Sequence, residues 1–80
     1  MNMTIDPAIL AMLQPGAKVR HWRAYRTDNP NSQILHIRAI VDDDQVVFRV
    51  WRPGRGWRYI VEDMIVFQLW YDDGALEAVK

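Results

Sequence analysis

The sequence predicts a mainly β fold, in which five short strands close into a small barrel behind a short N-terminal helix. Two observations lead there. Between Lys18 and Tyr71, runs of Val, Ile, Phe, Tyr and Trp are punctuated at short intervals by Gly, Pro, Asp and Asn, the rhythm of an all-β barrel. The run VVFRVWRPGRGWRYIV, Val46 to Val61, is a hairpin in outline, two β-rich stretches around Pro53-Gly54-Arg55-Gly56.

Size and composition narrow the class. Eighty residues, half hydrophobic and a quarter charged, suit one globular domain and leave no room for a second core. The expected layout is a helical segment at 1–16, a barrel at 17–71 and a tail at 72–80. The absence of cysteine excludes disulfides and thiolate metal sites and fits a reducing compartment. The first residues lack the basic start and apolar core of a signal peptide, and no apolar run is long enough to span a bilayer. A cytoplasmic protein with no membrane association is expected. Formal charges cancel over the whole chain but not along it. Lys18 and all eight arginines fall within 17–58 against four aspartates, while the segment after residue 58 is acidic. Such segregation can separate a basic face from an acidic one, although two ends that neutralise each other on the folded surface are the commoner outcome.

Each element has its own signals. Asp6-Pro7 supplies an N-cap carboxylate and a first-turn proline, and Ile5, Ala8, Ile9, Met12 and Leu13 follow at helical spacing until Pro15-Gly16 ends the run. So short a helix needs something to pack on, such as an open barrel end. Lys18 to Arg26 reads as the first strand, with Val19, His21 and Tyr25 on one side and Lys18, Arg20, Trp22 and Arg26 on the other. Thr27 to Gln33 is a loop by composition. Ile34–Val41, Val46–Arg52 and Trp57–Glu62 are the next strands, and Met64–Tyr71 the fifth, closed by Asp72-Asp73-Gly74.

Face matching then sets the expected register. An even-length turn at Asp42–Gln45 pairs Val41 with Val46, Ala39 with Phe48 and Ile37 with Val50, all apolar. A three-residue turn would set Ile37 against Arg49 and mix the faces, so the even turn is expected. The opposite face then pairs Ile40 with Val47, Arg38 with Arg49 and His36 with Trp51. Continuing through a four-residue Pro-Gly-Arg-Gly loop, Trp57, Tyr59 and Val61 point inward, and Arg58 points outward beside Trp51.

The opening Leu13-Gln14-Pro15-Gly16-Ala17-Lys18-Val19 resembles the L-x-P-G-x-x-V start of the first strand in SH3-like barrels. The order of loops that follows is similar over Leu13 to Tyr71. That resemblance implies a five-stranded SH3-like barrel. The acidic first loop and tyrosine-rich groove of the peptide-binding members are missing, so it does not carry polyproline binding. The run VDDDQVVFRVWR…GWRY is also similar to small uncharacterised proteins of phages and mobile elements, a likeness that brings no activity with it.

The residues with chemical potential argue against an enzyme. His21 and His36 do not have metal-ligand spacing. Asp42-Asp43-Asp44 could hold a hard cation, but within a hairpin turn such residues usually serve the turn. Glu62-Asp63 and Asp72-Asp73 are adjacent pairs, which in a strand point to opposite faces. Ser32, the lone serine, has no visible base, and no glycine-rich phosphate loop precedes a helix. No catalytic residue, metal or cofactor is expected.

What remains is an outward set: His36, Arg38, Arg49, Trp51, Arg55 and Arg58. Guanidinium forks take carboxylate or phosphate, and tryptophan offers a flat stacking surface. The plainer alternative buries Trp51 under the N-terminal helix and leaves the arginines solvated. In MIVFQLWY only Gln68 is polar, so a strand there would present two apolar faces. Either the N-terminal helix covers the second face or another chain does. Two helical turns can cover only part of it, so Val66, Gln68 and Trp70 are the expected interface for a partner or for a second copy in a homodimer. The leading expectation is a non-catalytic protein-interaction module with a protein partner. The alternative is a nucleic-acid-binding barrel using the same Arg/Trp face, against which the zero net charge counts.

Overall fold

A computed structural model describes residues 5–23 and 33–79. The first helix, α1 (Pro7–Met12), forms where its signals lie. The Asp6 carboxylate accepts the Ala8 N–H at 2.9 Å, and Pro7 sits in the first turn, where no donor is needed. Ile9 and Leu13 are fully buried. The chain then turns through Gly16, whose N–H donates to the Ile37 carbonyl at 2.8 Å and ties the turn to the sheet.

Strands β1 (Lys18–His21), β2 (Ile34–Val41), β3 (Gln45–Arg52), β4 (Gly56–Asp63) and β5 (Leu76–Val79) make one antiparallel sheet in the order β4-β3-β2-β1-β5. Among the described residues β4 and β5 each pair on one side only, so the sheet is open and not closed into a barrel. Strand β1 ends at His21. The expected continuation to Tyr25 and Arg26, and the loop after it as far as Ser32, lie outside the described residues.

The barrel fails to close because its expected last strand is a helix. Met64–Asp72 forms α2, the second helix. In a run with one polar residue, periods of two and of 3.6 fit the apolar positions equally well, so hydropathy could not separate them. The terminus does separate them. Gly74 takes φ 74° and donates to the Tyr71 carbonyl at 2.9 Å, while Ala75 donates to that of Trp70 at 2.9 Å. Those two bonds are the Schellman closure of a helix, and Asp72-Asp73-Gly74 is its sequence trace. The freed tail supplies a strand instead: Leu76–Val79 pairs with β1, where a tail or single helical turn was expected.

Both helices pack on one face of the sheet. Ile9, Leu13, Met64 and Phe67 share a core with Val19, Leu35, Ile37, Val46, Phe48 and Val50. Phe48 and Phe67 meet edge to face at 5.6 Å. Among the described residues nothing packs over the opposite face, where Trp57, Tyr59 and Val61 are 44%, 64% and 55% exposed.

The register corrects the expected pairing. Val41 pairs with Gln45, which leaves a three-residue turn, Asp42–Asp44, with Asp42 at φ 53° and Asp43 at φ 60°. Continued regularly, that odd turn would point Arg38 at the core. A β-bulge between Ile37 and Ala39 absorbs the extra residue, so Ile37 faces Phe48 and stays buried. The face-mixing objection to a three-residue turn is physically sound, and the bulge answers it. Arg49 consequently pairs with His36 and not with Arg38, which avoids two directly opposed arginines. The second turn is odd as well. Arg52 pairs with Gly56 around Pro53-Gly54-Arg55, with Gly54 and Gly56 both at φ 76°. Trp57, Tyr59 and Val61 therefore lie on the open face, beside Trp51, Arg49 and Val47. Arg58 and Ile60 go to the helix-bearing face, opposite Val50 and Phe48. Both placements are the reverse of those expected.

Candidate functional site

The open face is built by cross-strand rows. One row crosses all five strands: Val79, Lys18, His36, Arg49 and Tyr59 are successive partners. Beside it Glu77 pairs with Arg20, Arg20 with Ile34, and Trp51 with Trp57. Alternation along each strand forces this composition, since the other parity already fills the core.

Aromatic rings and cations interleave there. The Arg49 guanidinium lies 4.2 Å from the centre of the Trp57 ring, and its Nε is buried with no hydrogen-bond partner among the described residues. Trp57 also meets the ring of His36 edge-on at 5.1 Å and that of Trp51 at 5.6 Å. Toward β5, Arg20 lies 4.8 Å from the Trp22 ring centre, and the Trp22 Nε1–H donates to the Glu77 carboxylate at 3.0 Å. Between these groups Lys18, Ile34, His36, Trp51 and Trp57 line a shallow cleft of about 320 Å³. Three rings and Ile34 wall it, and the Lys18 ammonium stands among them.

The electrostatics follow from the rows. Lys18, Arg20 and Arg49 on this face are offset by Glu77, which Trp22 already engages, and by Asp63, which ends β4 opposite Gln45. Partial burial, and then the charges of Lys18, Arg49 and Arg38, hold His36 below its ordinary 6.5. The imidazole is thus held toward its neutral form, and an anion placed beside it would favour the protonated one.

No protein-family model, curated protein or solved structure matches this chain.

Three of the residues expected in the site come together: His36, Arg49 and Trp51. Arg38 is exposed at the bulge, and Arg55 is exposed at the tip of the β3–β4 turn. Arg58 is on the opposite face from Arg49, so Arg38, Arg49 and Arg58 do not share the outward face expected of them. Trp51 is not beneath α1, since it pairs with Trp57 on the open face. The three interface positions fall on α2. Gln68 is buried and hydrogen-bonded, Trp70 is stacked on His21 at 4.1 Å, and Val66 is half-buried. The two-faced strand that motivated a dimer through them does not exist. Sequence reasoning missed Lys18, Ile34 and Trp57 as cleft residues. Reading Pro53–Arg55 as a three-residue loop with a left-handed Gly56 would have put Trp57 beside Trp51.

Proposed function

We propose that the chain is a non-catalytic binding module that takes single-stranded nucleic acid on its open sheet face. The observation that carries this reading is the cleft among Lys18, His36, Trp51 and Trp57, with Arg49 laid on the Trp57 ring. Single-strand binders combine flat rings, on which bases stack regardless of sequence, with cations that follow the phosphates. Arg49 offers both, because a guanidinium stacked on an indole still directs its edge donors outward. The whole-chain neutrality matters less than the local balance, for most carboxylates lie away from this face. Asp42–Asp44 are in a turn and Asp72 and Asp73 end α2. The cysteine-free composition fits a cytoplasmic protein.

A protein ligand is the second reading, favoured by the exposed apolar row Trp57, Tyr59 and Val61. Titration of a mixed-sequence oligonucleotide, followed by tryptophan fluorescence, separates the two. The first reading expects quenching and an affinity that falls as salt rises. It also expects Trp57→Ala, which leaves the charge unchanged, to weaken binding by roughly fivefold or more, since stacking contributes about 1–3 kcal/mol per base. No binding to DNA or RNA at low salt would leave the protein reading in possession of the face.

A further inference from the structure

The edges of the sheet differ. β5 is a four-residue edge, whereas β4 exposes eight residues, with neither proline nor lysine among them, along its free side. A long unpaired edge is a template for another strand, and proteins that keep such an edge monomeric usually interrupt it.

The order of residues along β4 indicates which strand would pair there. Arg58 and Glu62 stand two positions either side of Ile60 on one face, and Tyr59 and Val61 one position either side of it on the other. An antiparallel copy of β4 centred on Ile60 sets Arg58 against Glu62 twice and Tyr59 against Val61 twice, with Ile60 opposite itself. These are opposite-charge and aromatic–β-branched pairs, both favourable across strands. Centring on Tyr59 instead sets Arg58 against Ile60 and Glu62 against Gly56, so neither charge is matched. Centring on Arg58 opposes two arginines.

We infer that two copies of this chain pair edge to edge through β4, centred on Ile60, to make one ten-stranded antiparallel sheet with a two-fold axis. This inference is independent of what the open face binds. The pairing keeps both open faces on the same side and brings the two Trp57–Tyr59–Val61 rows together at the centre.

Charge reversal tests the register directly. Sedimentation equilibrium at tens of micromolar should show a dimer for the natural chain. Arg58→Glu alone and Glu62→Arg alone should each be monomeric, since each opposes like charges twice. An equimolar mixture of the two should regain the dimer. In the mixed pair the carboxylate introduced at position 58 faces the guanidinium introduced at position 62, and the retained Arg58 and Glu62 face each other. A natural chain that stays monomeric, or a dimer unaffected by either reversal, would overturn the inference. Should a variant fail to fold, hydrogen exchange on the natural chain decides the matter. Amides on the free side of β4 should gain protection as concentration rises, and unchanged exchange there would also overturn it.

Discussion

The backbone N–H of Asp6 donates to Oε1 of Gln68 across the helix pair, at 2.8 Å. The other end of the same amide donates to the Asp72 carboxylate at 2.9 Å, so one buried side chain joins the start of α1 to the end of α2. A residue that looks like the polar break in an apolar surface is the bond between two helices. Gln68→Leu keeps the volume and removes both bonds, leaving the Asp6 donor without its partner. The expected loss is roughly 1–3 kcal/mol, read as a lower urea midpoint at unchanged m-value.

Trp70 has the same lesson in apolar form. It is stacked on His21 at 4.1 Å and meets Phe67 at 4.9 Å, against the core. Trp70→Glu should unfold the chain or destabilise it by several kcal/mol, as a charge without a partner enters a packed site. Circular dichroism with light scattering distinguishes this from a surface role, in which a folded chain would merely change mass.

The turn Asp42–Asp44 should respond to backbone chemistry. Asp43 sits at φ 60°, a conformation that costs most side chains roughly 1–2 kcal/mol and glycine almost nothing. Asp43→Gly should hold or raise the melting temperature, and Asp43→Val should lower it.

Two histidines set an acid limit. Burial, reinforced by Arg23, lowers the pKa of His21, and His36 is lowered by burial and its cationic neighbours, both from 6.5. Below about pH 6.5 the unfolded chain therefore holds more protons than the folded one. Stability from this source is complete above that pH and is lost as pH falls through the folded values. Urea midpoints should drop between pH 7.5 and 5.5, and His36→Gln should shrink the drop. Phosphate bound beside His36 acts in the opposite sense, raising its pKa, so oligonucleotide affinity should rise over the same interval in the natural chain and rise less in His36→Gln.

What was legible in the sequence had a local cause. The Asp6-Pro7 start, the inward parity of Val46, Phe48 and Val50, and the shared face of Arg49 and Trp51 rest on a cap and on alternation within one strand, whereas Ile37 and His36 keep their faces through the bulge at Arg38. Two things were not local. In MIVFQLWY almost every position is apolar, so the period vanishes and only Gly74 marks the helix. The faces of β4 depend on whether Pro53–Arg55 counts as two, three or four residues. A change of one residue there turns Trp57 from the core to the open face.

The bulge at Arg38 means that β2 holds one residue more than its ladder needs. Removing Arg38 would leave Ile37 opposite Phe48 and Ala39 opposite Val47, every face preserved and the hydrogen-bond ladder regular. The chain should therefore tolerate a deletion here. Elsewhere in the hairpin, a missing residue would reverse the side chains beyond it. The cost would be in shape. A bulge bends and twists its strand, so the shortened protein would present Lys18 and His36 to Arg49 and Trp51 across a flatter floor. A protein without Arg38 should thus fold with every side chain on its present face and differ in the bend of β2 beneath the cleft.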